Sequence, residues 1–174
     1  MVAAPLPADE TQRLEALDKL AILDTAPEGW FDDLTETCAH ALDVKTALVS
    51  FVDAERQWFK ARCGLEVSET SRDVAFCAHA ILENKPMVVL NATQDERFND
   101  NPLVTGEPYI RFYAGAPLVT PDGYPVGTLC VLDPEPRFRF EGADVKTLTF
   151  FAELVMERLV RRVVENRAQD ASAA

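Results

Sequence analysis

Long apolar runs, a basic surplus and metal-type cysteine spacing are all missing from this sequence, and each absence removes a class of function. No apolar run approaches the ~20 residues that a membrane-spanning helix needs. The opening Met1-Val-Ala-Ala-Pro-Leu-Pro7 has neither a basic start nor a long apolar core, so it does not read as a secretory signal. Seventeen Lys and Arg stand against 29 Asp and Glu, a net charge of −12. That excess repels phosphate backbones and anionic lipid surfaces, which argues against nucleic-acid and membrane partners. The expected location is the cytoplasm. Cys38, Cys63, Cys77 and Cys130 form no Cys-x-x-Cys, and His40 and His79 complete no zinc spacing. No metal site is expected, and in a reducing compartment the four thiols are expected to be free and to pack as small hydrophobes.

What is there is apolar material enough for one domain: 48% hydrophobic and 26% charged residues in 174, the proportions of an ordinary globular fold. Residues 9–169 are expected to form that domain, between a flexible 1–8 and a frayed 170–174. Its centre is the stretch from Tyr109 to Asp133. Two apolar, aromatic and β-branched runs there flank Pro121-Asp-Gly123, a hairpin signal. Both runs are nearly continuous in apolar residues, so they read as central strands covered on both faces. Gly115 and Gly127 inside them imply a bulge or a close backbone approach.

Upstream, Asp9 with Gln12 suggests a capping box for a first helix ending near Leu23, and Thr25 with Glu28 suggests a cap for a second. In the second, Phe31, Leu34, Cys38 and Leu42 recur at helical spacing, which makes Cys38 core. Thr46 to Asp53 reads as a strand. Gln57 to Cys63 reads as its hairpin partner, more clearly alternating and so half exposed. Glu66 to Asp73 reads as a polar loop. Val74 to Asn84 is a predicted helix stopped by Lys85-Pro86, and Met87 to Leu90 a short strand. Asn91 to Gly106 is polar and turn-rich, a length that in a compact domain marks a functional loop or a lid. After Asp133 one long helix is predicted from Gly142 or Ala143 to about Gln169. Its Val145, Leu148, Ala152, Val155 and Leu159 form one stripe, and Phe151, Leu154, Val160, Val163 and Val164 a second. Two apolar sides imply two partners, so a homodimer through this helix is expected, with a wider buried face in a monomer as the alternative. The sum is an α+β fold, an antiparallel sheet with helices on its faces.

Arg111-Phe-Tyr-Ala-Gly-Ala-Pro-Leu118, Gly127-Thr-Leu-Cys130 and Asp133 resemble the signature strands of a GAF domain. Arg56-Gln-Trp-Phe-Lys60, Arg72 to Ile81 and Asp95 to Pro102 resemble further segments of that family, in the family's order. The resemblance implies a sensory module that binds a small molecule non-covalently. It also implies kinship with bacterial signalling proteins in which such a domain precedes a histidine kinase or diguanylate cyclase. Bilin-binding members attach chromophore at a cysteine beside a histidine. Here the pair is Cys77-Ala-His79, so no covalent bilin is expected, and the Asn-Lys-x-Phe signature of cyclic-nucleotide binders is absent. The resemblance leaves two alternatives: a free methionine-(R)-sulfoxide reductase using Cys77, or a ligand-free dimerisation module.

On a helix, residues two apart point about 200° away from each other, so Cys77 and His79 do not make a nucleophile–base pair. No catalytic residue is assigned. His79 is expected to join a polar network or to meet Glu83. The candidate ligand site lies between helix 74–84, the 91–106 loop and the central hairpin. Phe76, Cys77, Phe98 and Tyr113 are its candidate lining, and Asp95, Asn101, Arg111 and Thr128 its candidate orienting groups. The competing reading makes Phe76 and Phe98 plain core and pairs Arg111 with a loop carboxylate such as Asp95.

Overall fold

The computed structural model describes residues 1–173. Two helices open the chain, α1 (Glu10–Lys19) and α2 (Gly29–Leu42). Neither uses its expected side-chain cap. Thr25 instead bonds the Ile22 carbonyl at 2.7 Å, and Glu28 is diverted to cations on other elements. Then come β1 (Thr46–Val52), β2 (Arg56–Cys63) and β3 (Glu69–Ser71), the last inside what reads as a polar loop. A 3-10 turn at Arg72–Val74 leads into α3 (Phe76–Ala80). The predicted helix over 74–84 is therefore much shorter, because Ala75 is extended (φ −77, ψ 121) and breaks the helical run. β4 (Met87–Val89) follows, and α4 (Pro102–Thr105) lies within the covering segment 91–111. The central hairpin is β5 (Phe112–Val119) and β6 (Pro125–Asp133), and α5 (Ala143–Ala173) closes the chain. α5 continues past the expected end at Gln169, and Ala174 of the expected frayed tail lies outside the described residues.

All strand pairs are antiparallel, in the order β3-β2-β1-β6-β5-β4. Every residue of β1 and β6 is buried, as the continuous apolar runs require. β2 departs from its expected half-exposure: Gln57, Trp58, Phe59, Lys60 and Ala61 are all buried. The polar Lys60 that suggests an outward face has its ammonium fully buried, 2.8 Å from Glu28 and bonded to Thr25 and the Ala26 carbonyl. A cation in a strand was paired inward, not solvated.

The sheet's alternation sorts its side chains into two cores. On one face Val49, Phe51, Phe112, Ala114, Leu129 and Val131 pack beneath α1, α2 and α5. On the other, Leu48, Phe59, Tyr113, Cys130 and Leu132 pack beneath α3 and the covering segment. From α5 the first face takes Leu148, Ala152, Val155 and Leu159, the predicted stripe. Phe151, Leu154 and Val163 of the second stripe are half-buried, while Val160 and Val164 are exposed. The N-terminus, expected to be loose, touches α3 and the covering segment: the Val2 carbonyl meets His79 Nε2 at 3.0 Å, and the Met1 ammonium meets Asp100. Among the described residues no helix is long and apolar enough to cross a membrane.

Candidate functional site

Between α3, the covering segment and the second face of the sheet lies a cavity of about 50 Å³. Its walls are chiefly hydrocarbon and sulfur, among them Leu48, Phe59, Phe76, Cys77, Leu103 and Tyr113. An engineered cavity of ~150 Å³ holds a benzene, so this one in its closed form holds only a few atoms. Two polar atoms on residues lining it have no partner: Gln57 Oε1, on a side chain from a buried residue, and Thr70 Oγ1. Buried polar atoms are nearly always bonded, to protein or to water, so these two are the polar hydrogen-bonding capacity left open at the cavity.

Of the residues singled out from sequence, Phe76, Cys77 and Tyr113 line the cavity. Phe98 stands behind them, stacked on Phe76 with centroids 3.9 Å apart, and His79 meets its edge at 4.9 Å. Thr128 reaches the site through Cys77, its hydroxyl 3.1 Å from the sulfur. The other three do not face the cavity. Asp95 forms a two-pronged pair with Arg97, which lowers the Asp95 pKa. Asn101 caps α4 through the Leu103 amide and donates to the Val74 carbonyl at 3.0 Å. Arg111 donates to the Val104 carbonyl at 2.7 Å and to that of Ile110. The Arg111–Asp95 pair of the competing reading does not form, because Arg97, two residues from Asp95, occupies the carboxylate. Most of these bonds lie within the covering segment, and Asn101 ties it to Val74. His79 likewise meets Val2 and not Glu83, which pairs with Lys85.

Sequence reading overlooked Ser50, Gln57, Thr70 and Cys130. The alternation of β6 was the usable signal for one of them, since Thr128, Cys130 and Leu132 must share a face. Cys77 Sγ lies 3.7 Å from Cys130 Sγ and 3.3 Å from the Tyr113 hydroxyl, and Ser50 meets Thr128 at 3.2 Å. Burial pushes the Cys77 thiol up, but bonds from Cys130, Ser50, Thr128 and Tyr113 outweigh it and lower its pKa. Cys130 is raised instead, by its contact with Cys77 and by burial. Tyr113 is raised too, by burial and the adjoining sulfurs. His79 is lowered, chiefly by burial.

A family model described as GAF domain matches residues 26–159. The chain belongs to the GAF domain family. A cyclic di-GMP phosphodiesterase of Pseudomonas aeruginosa is 44% identical over 159 residues, covering 91% of this chain and 27% of that protein. This GAF chain therefore spans about a quarter of that relative's length. Among solved structures, a domain assigned to a two-component sensor histidine kinase of Sinorhizobium meliloti superposes with a TM-score of 0.61 at 20% identity, over 87% of this chain and 100% of that one. A type II free methionine-R-sulfoxide reductase of Thermoplasma acidophilum superposes with a TM-score of 0.58 at 14% identity, over 73% and 89%. At these identities the structural matches establish the GAF fold and nothing finer.

Proposed function

We propose that this GAF domain is the sensory part of a signalling protein, binding a compact small molecule at the α3 cavity and transmitting occupancy through a dimeric α5. The observation that carries the reading is the pair of unpartnered atoms, Gln57 Oε1 and Thr70 Oγ1, on an otherwise apolar hollow. The same strands that floor the hollow support α5 on their other side: Tyr113 and Cys130 face the cavity, Phe112, Ala114 and Val131 the helix layer. A guest larger than a few atoms must lift Leu65, Leu103 and Ile110 of the cavity wall, which couples binding to a change of shape. The relative's activity suggests that the output governs cyclic di-GMP turnover elsewhere in a longer chain.

The test is a thermal-shift screen of compact polar–apolar metabolites, since a guest bound only to the native state raises its melting temperature. Gln57→Leu is expected to erase the shift from a hit while leaving the free protein as stable or about 1 kcal/mol more so, because an unpaired buried group is costly. If no compound stabilises the wild type, the hollow is not a binding site. The small volume then favours the second reading, a ligand-free dimerisation module.

A further inference from the structure

Cys77 is surrounded in a way that a structural thiol does not need. Cys38, buried in the opposite core, has its pKa pushed up to about 12 by burial alone. Around Cys77 the chain instead assembles hydroxyl donors from two strands, Tyr113 on β5 and Thr128 on β6, with Ser50 of β1 behind Thr128. A thiol sulfur is a weak acceptor, whereas a thiolate takes strong charge-assisted bonds. Such a cluster therefore favours the nucleophilic form. Cys130 Sγ stands 3.7 Å away, within the reach of a modest side-chain shift. Both sulfurs adjoin the 50 Å³ cavity, which as it stands has room for a molecule of two oxygens.

We propose that Cys77 and Cys130 form a dithiol site that hydrogen peroxide, entering through this cavity, oxidises to a disulfide. The Cys77 thiolate attacks one peroxide oxygen. The O–O bond breaks, hydroxide leaves and takes a proton to become water, and Cys77 becomes a sulfenic acid. The Cys130 sulfur then attacks Cys77, the S–O bond breaks, and the departing hydroxide takes the Cys130 proton as a second water. Two thiols lose two electrons and two protons, and the peroxide is reduced to two waters. Two molecules of a small thiol reverse the step, becoming a disulfide themselves. Closing the sulfurs from 3.7 Å to the ~2 Å of a disulfide draws the first turn of α3 toward β6. Phe76, next to Cys77, carries the stacked Phe98 and hence the covering segment with it. The thiol chemistry is independent of the ligand reading above.

The experiment treats the 174-residue chain with hydrogen peroxide, blocks remaining thiols after denaturation, and maps the peptides by mass spectrometry. The expected product joins the Cys77 and Cys130 peptides with the loss of two hydrogens, is lost in Cys77→Ser, and is reversed by a small thiol. In Cys130→Ser, Cys77 gains oxygen instead. The rate should rise with pH and level off below the range in which an ordinary cysteine ionises, because the donors around Cys77 lower its pKa. Recovery of Cys77 and Cys130 as free thiols after the half-buried Cys63 has been oxidised would overturn the proposal, as would a link formed only in urea. The wild-type map decides the matter even if a serine variant fails to fold. A failed ligand screen leaves this result untouched, so the two readings fall separately.

Discussion

Glu10 is the carboxylate partner of two guanidinium groups, Arg13 and Arg72, that otherwise bond only main-chain carbonyls. It accepts two bonds of 2.8 Å from Arg13, whose side chain is fully buried, and one from Arg72. Burial alone would raise its pKa, but the bonds from Arg13 and Arg72 lower it from 4.5 to about 2. A carboxylate depressed in this way contributes stability that is present above pH 4.5 and disappears as pH falls through about 2. Glu10→Gln should therefore cost about 3 kcal/mol at neutral pH in a urea melt, because it leaves buried charge unpaired. Its deficit should shrink in acid. Two glycines make a second comparison. A Cβ on Gly127 would lie 2.0 Å from the Ser50 carbonyl oxygen and 2.8 Å from Phe51 Cα, both main-chain atoms of the neighbouring strand. On Gly115 it would lie 2.2 Å from the Tyr113 hydroxyl and 2.8 Å from Cζ of the same buried ring, a side chain and not main chain. Gly127→Ala should thus cost about 3 kcal/mol or more. Gly115→Ala should also destabilise and, by moving Tyr113 off Cys77, raise the thiol pKa in an ultraviolet thiolate titration.

At the scale of elements, Asn101 both caps α4 inside the covering segment and ties that segment to the Val74 carbonyl. Asn101→Ala removes the cap of α4 and the tie to Val74. It should cost about 2 kcal/mol and speed amide exchange over residues 95–110 while β6 stays protected. α5 makes a different prediction. Val160 is 36% and Val164 61% exposed, beside the half-buried Val163, and all three border a hollow shared with Leu20 and Pro121. If these residues cover a second copy, Val160→Lys with Val164→Lys should halve the mass measured by sedimentation without lowering the monomer's melting temperature. An unchanged mass would reject the α5 dimer.

Across the whole molecule, one pair of strands carries both faces of the mechanism. β5 and β6 present Tyr113, Thr128 and Cys130 to the site, and Phe112, Leu129 and Val131 to the core under α5. Packed interiors transmit displacement, so a change at the cavity should be felt in the helix. Peroxide-treated wild type should accordingly show altered exchange in α5 as well as α3, whereas Cys130→Ser under the same treatment should not change in α5.

The amino-acid order alone determined the strand–turn–strand centre, the α5 stripe, the burial of Cys38 and the GAF fold, because each rests on local periodicity or on a contiguous motif. Lys60 and Arg111 show where that logic stops: a lone cation in an apolar strand reads as an exposed or site-facing group until its distant acceptor is known. Glu28 and the Val104 carbonyl supplied those acceptors. The meeting of Cys77 with Cys130, and of Gln57 with Thr70 at one hollow, was likewise decided only by tertiary structure. Sheet register and the path of the covering segment, not sequence spacing, set which side chains share a cavity.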